Sequence, residues 1–98
     1  MLTRQRKSIL GALLRFTTIV FVGLTEANFT DFARQLITAA YQYLLTRDLF
    51  SILSPSNLQE LEDAIQAVLD AVAADDFSAT QTALSNLRTV LRDQIAAL

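Results

Sequence analysis

Between Ser54 and Asp76 the chain spells out a helix with both ends marked, and this segment limits everything around it. Leu58, Leu61, Ile65, Val68 and Val72 recur at spacings of 3, 4, 3 and 4, which places them on one helical face. Ser54 offers an oxygen to an orphan amide at the start, and Pro55 falls at the first helical position, where its missing N–H costs nothing. Ser56 with Gln59 is an alternative capping box slightly further on. Glu60, Glu62, Asp63, Gln66 and Asp70 take the opposite side. Asp75-Asp76-Phe77 interrupts the pattern, with Asp76 placed to cap a last helix that sets Phe77, Thr80, Leu84, Leu87, Leu91, Ile95 and Leu98 on one face. Arg88 and Arg92 fall in its second half, where they suit the negative end of the dipole. Residues 55–98 therefore predict an antiparallel helical hairpin with a very short turn.

The first half is oilier. Asn28 to Thr30 supply capping atoms, and Phe29, Phe32, Leu36, Ala40, Tyr43 and Leu44 mark an apolar face on a helix over 30–46. A shorter turn is expected near 47–52. Residues 16–22 are β-branched and aromatic enough to suit a strand. Arg4, Ser8, Gly11, Arg15 and Thr18, at spacings of 4, 3, 4 and 3, decide for helix instead. With two Gly and one Pro in 98 residues, nothing else breaks the helices. The expected fold is all-α, a single domain over 1–98 with four helices near 3–24, 30–46, 55–74 and 77–97.

Helical geometry, at about 100° per residue, turns the polar stripe of the first helix into an orientation. Leu2, Ile9, Leu13, Phe16 and Val20 lie opposite the stripe; Leu10, Leu14 and Phe21 extend the apolar surface round one flank, Ala12 and Ile19 round the other. The apolar arc is about 220° wide, where one core needs little more than about 100°. Large apolar residues other than Ala occupy 24 of the first 53 positions against 13 of the last 45. A single core should claim Leu13 and leave a flank over. Leu10, Leu14, Phe21 and Tyr41 are thus expected to form a self-association surface in a helical oligomer. Tyr41 and Tyr43 straddle a helix face, one core and the other more outward. Tyr suits an interface, pairing apolar area with a polar tip.

Composition removes several function classes. Without His or Cys there is no Ser-His-Asp or Cys-His catalysis, no thiolate chemistry and no disulfide. Two Gly cannot furnish a phosphate-cradling loop, and a chain of net charge −2 is a poor binder of polyanions. Residues 1–53 are net +3 and residues 54–98 net −5. The acidic set Glu60, Glu62, Asp63, Asp70, Asp75 and Asp76 reads as a solvated face plus a capping pair, with no Asp-rich loop to hold a cation. No enzyme activity, cofactor, metal, nucleic acid or small-molecule substrate is expected.

Arg4, Arg6 and Lys7 ahead of Ile9–Leu24 have the outline of a secretory signal, but Arg15 interrupts the apolar run and Thr25-Glu26-Ala27-Asn28 is not a small-x-small cleavage site. The run is also too short and too interrupted for a good membrane span. Asn28-Phe29-Thr30 matches a glycosylation sequon and is better read as a cap. The expected function is a non-catalytic self-association module whose partner is itself. A membrane-surface helix over 1–24 and an adaptor using the same surface for another protein are the alternatives.

The run Leu53-Ser54-Pro55-Ser56-Asn57-Leu58-Gln59-Glu60-Leu61, the Ala-rich helix after it, Asp75-Asp76-Phe77 and the closing helix Ala83–Leu98 carry a resemblance. Residues 29–98 resemble the helical preface segments that precede collagen-like repeats in surface and exosporium proteins of spore-forming bacteria. The first helix is oilier than that pattern, and the chain carries no Gly-X-Y repeat. The resemblance implies a structural, self-associating surface component at the cell or spore surface, and it carries no functional residue across.

Overall fold

A computed structural model describes residues 2–47 and 50–98. It contains α1 (Leu2–Gly23), α2 (Asp31–Thr46), α3 (Pro55–Ala73) and α4 (Phe77–Ala96). These are the four expected helices, each within a residue or so of its expected bounds. Of the turn expected near 47–52, positions 48–49 lie outside the described residues, and residues 50–53 fold as turn and bend.

The starts of α2, α3 and α4 are explained by their capping residues. Ser54 Oγ accepts from the Asn57 amide, with Pro55 opening α3, and Asp76 accepts from the Ala79 amide to open α4. Thr30 Oγ1 accepts from Ala33 N at 3.2 Å to open α2. Asn28 closes the helix before it: its Nδ2 donates to Gly23 O at 2.9 Å, and its Oδ1 accepts from Thr25 N at 2.8 Å. The sequon-like triplet is therefore a two-sided cap, serving the end of α1 and the start of α2.

The α3–α4 turn is a Schellman closure. Asp76 N donates to Ala71 O and Asp75 N to Val72 O, which places Asp75 in the left-handed region at φ 55°. The short polar side chain of Asp tolerates that region better than most. Arg34 of α2 braces the turn, pairing with Asp75 at 2.8 Å and with Asp31, donating to Phe29 O and lying 5.3 Å from the centre of the Phe29 ring. Phe29 in turn meets Phe77 edge-on, with ring centroids 5.7 Å apart.

α3 packs on α4, α4 on α1 and α2 on α3. Leu61, Ile65, Val68 and Val72 of α3 interlock with Leu84, Leu87 and Leu91 of α4 in the middle of the core, all at 2 % exposure or less. Burying a side chain of this size is worth about 1.5–3 kcal/mol, so this hairpin carries much of the fold. α4 also holds α1 by polar contacts. Arg88 Nε donates to Thr18 Oγ1 at 3.1 Å and stacks over the Phe21 ring at 4.9 Å, while Gln81 Nε2 donates to Leu24 O at 3.2 Å. Arg88 thus crosses to α1, whereas the sequence pattern had it serving the dipole of its own helix. The bundle is closed on three sides and open on the fourth, along the seam between α1 and α2.

Candidate functional site

The seam runs between two antiparallel helices whose backbones stand apart. Among the described residues, Tyr41 bridges it: its ring lies 5.4 Å from that of Phe16, and its hydroxyl is 2.9 Å from Thr17 Oγ1. Both Tyr41 and Thr17 are fully buried. Burial pushes the Tyr41 phenol up to about 12, with the Thr17 hydrogen bond acting more weakly the other way.

On either side of this bridge the seam is lined by apolar side chains that no other element covers. Toward the α1–α2 loop a shallow groove is formed by Ile19, Val20 and Leu24 with Ala33, Leu36 and Ile37. Ile19 stands 71 % exposed on its α1 edge and Leu36 56 % on α2, while Val22 and Phe32, 72 % and 71 % exposed, lie outside the groove on the outer faces of their helices. Toward the start of α1 the seam deepens into a pocket of about 350 Å³ between Ile9, Ala12, Leu13 and Phe16 on one helix and Ala40, Tyr43 and Leu44 on the other, with Phe50 as its floor.

Charge is missing from the same region. No charged residue occurs from Phe16 to Thr25 or from Gln35 to Thr46, ten and twelve consecutive positions. A surface helix ordinarily carries charges on its solvent side. Interface centres are depleted of them.

The expected surface residues are placed differently. Leu10 and Tyr41 are 1 % and 0 % exposed, so they are core and cannot be offered to a second molecule by this fold. Leu14 and Phe21 are half-buried against the core, with Arg88 stacked on Phe21. The flank of α1 expected to be free is the one that faces α4. The opposite flank, Ala12 and Ile19, is the exposed one. On α2 the stripe Phe32, Leu36 and Tyr43 points outward, and Ile37 with Tyr41 forms the buried face.

The physical reason is Thr17. A wheel built from apolar residues centres the core on Leu13, yet the buried residues Leu10, Leu13, Thr17 and Leu24 centre about 30° further toward α4. A buried Thr is invisible to apolar counting until its hydroxyl partner is known. Leu13 is buried as expected, at 4 % exposure.

The acidic side chains of α3 are spread along its outer face, with Gln59 donating to Asp63 and Gln66 to Asp70. Among the described residues no three acidic groups converge on a common point. No described helix is long and apolar enough to cross a membrane. Searches of family models, curated proteins and solved structures found no match to this chain.

Proposed function

We propose that the chain is a non-catalytic helical module that self-associates along the α1–α2 seam, a second copy covering Ile19, Leu36 and the adjoining Phe32. The observation that carries this reading is that exposed Ile19 on α1 and Leu36 and Tyr43 on α2 fall in charge-free stretches of two adjacent helices, with Phe32, between Asp31 and Arg34, at the margin. A two-fold contact brings each patch against its own copy, so a patch without charge meets itself without repulsion. Each large side chain withdrawn from water contributes at about 25 cal/mol per Å² of apolar area. A surface component of the kind implied by the preface-like texture of residues 29–98 would use such a seam to build its assembly, and that role is part of the proposal.

Sedimentation equilibrium without detergent, at micromolar chain concentration, tests the reading. A mass that is a multiple of the chain's 10.9 kDa supports it. A mass of one chain that does not change with concentration overturns it. Binding to anionic phospholipid vesicles by a monomeric chain would move the same surface to the membrane-surface alternative.

A further inference from the structure

We propose that the pocket near the start of α1 holds the tail of a single-chain anionic amphiphile, such as a medium-chain fatty acid, with its headgroup at Arg47 beside the pocket wall. The inference concerns the opposite end of the seam from the self-association patch and does not rest on it. The pocket has a volume of about 350 Å³. That is inside the range of small-molecule sites, about 300–1,000 Å³, and more than twice the size of an apolar cavity of about 150 Å³ that takes up benzene. Its wall is aliphatic and aromatic throughout, with the Tyr43 hydroxyl as the sole side-chain polar atom among the residues that line it. A ligand body with hydrogen-bonding groups would leave them unpaired there. A hydrocarbon chain would not.

The polar end of the ligand is specified by what surrounds the mouth. Arg47 lies over the ring of Tyr43, with its guanidinium carbon 5.4 Å from the centroid, and Tyr43 is itself a wall of the pocket. Arg6 Nε donates to Ile52 O, tying the start of α1 to the segment that carries Phe50, while Arg4 and Lys7 lie round the helix on the side away from Ile9 and Phe16. Glu60, Glu62, Asp63 and Asp93 share this end of the bundle through α3 and α4, so the positive charge beside the pocket is local to Arg47. An anionic headgroup is therefore drawn to a mouth whose interior accepts only hydrocarbon. The absence of His and Cys argues against turnover of such a ligand, so it is held and not transformed.

Titration calorimetry with laurate, kept below its micelle concentration, tests the proposal on the full chain. Saturable uptake of one laurate per chain is expected, with dodecyltrimethylammonium weaker by about tenfold or more. Ala12 lies at the pocket on the exposed side of α1, so Ala12→Phe puts a ring into the space without displacing core atoms. Ala12→Phe should keep the helical circular-dichroism signal and weaken laurate by about tenfold or more, and Ala40→Phe provides a second obstruction from α2. Arg47→Glu should weaken laurate but not dodecanol. A Phe32→Ser chain should bind laurate as the parent does, whatever happens to its oligomeric mass, so the two proposals stand or fall separately. The proposal is overturned if the folded chain takes up no laurate or holds the cationic amphiphile equally well. It is likewise overturned if a folded Ala12→Phe binds unchanged, or if the chain binds anionic phospholipid vesicles while ignoring monomeric laurate.

Discussion

The Tyr41 hydroxyl and Thr17 Oγ1 lie 2.9 Å apart in a site sealed from water, joining two helices whose backbones do not meet. This bond holds the phenol between the seam's groove and its pocket. Removing one partner strands the other. Tyr41→Phe or Thr17→Val alone should each destabilise the fold by about 1–3 kcal/mol, because a buried hydroxyl is left without its partner. The double variant Thr17→Val/Tyr41→Phe should be less damaging than the sum of the two. Denaturant unfolding of all four chains measures this coupling, and strict additivity would show that the bond contributes nothing.

The same phenol makes stability fall in alkali. Its folded value of about 12 lies above the ordinary 10.0, so the folded state binds its proton more tightly than the unfolded one. That contribution is fully present below pH about 10 and is lost as pH rises through about 12, a loss of about 3 kcal/mol at full titration. Thermal melts across this window should show the decline, and Tyr41→Phe should flatten it. Equal decline in both chains would place its origin elsewhere.

Gly11 is an interior residue of α1 without a positive φ, and a Cβ built there meets only the tip of the flexible Arg15 side chain, at 3.8 Å. Nothing in the fold uses its freedom. Gly11→Ala should therefore stabilise the chain by about 0.5–1 kcal/mol, read from the denaturant midpoint. A destabilised variant would mean that α1 needs the small residue for a contact outside the single chain.

Leu13 is buried between α1 and the rest of the core, and it also borders the pocket. Leu13→Glu places an unpaired carboxylate there at a cost of several kcal/mol, a large fraction of the about 5–15 kcal/mol that holds a domain together. Loss of the helical circular-dichroism signal at neutral pH is the expected outcome. A fully helical Leu13→Glu chain would show that water reaches Leu13 through the pocket.

The helices were legible because their ends are written in local chemistry. Ser54-Pro55, Thr30 and Asp76 act through side-chain oxygens on amides three residues away, and nothing distant is needed to recognise them. The faces of α3 and α4 were legible for a related reason, since each helix has one apolar stripe and little choice about where to put it. The rotations of α1 and α2 were not. Each carries apolar residues on more than one side, and the side that becomes core depends on neighbours far away in sequence. Arg88 and Gln81 draw one flank of α1 onto α4, and Tyr41 turns inward to reach Thr17. The surplus of apolar surface was thus visible in the sequence, while its position was shifted from Leu10, Leu14, Phe21 and Tyr41 to Ile19, Phe32 and Leu36.

Sedimentation equilibrium on three chains compares those two positions most directly: the parent, Phe32→Glu and Phe21→Glu. Phe32 stands 71 % exposed on α2 beside the seam's Leu36, whereas Phe21 is packed against the core beneath Arg88. The account predicts an oligomeric parent and a Phe32→Glu chain that keeps its helical signal but sediments as a single chain. It also predicts that Phe21→Glu, though less stable to denaturant, retains the parent's mass while folded. A parent that is already monomeric would contradict the account, as would loss of assembly in Phe21→Glu with Phe32→Glu still oligomeric.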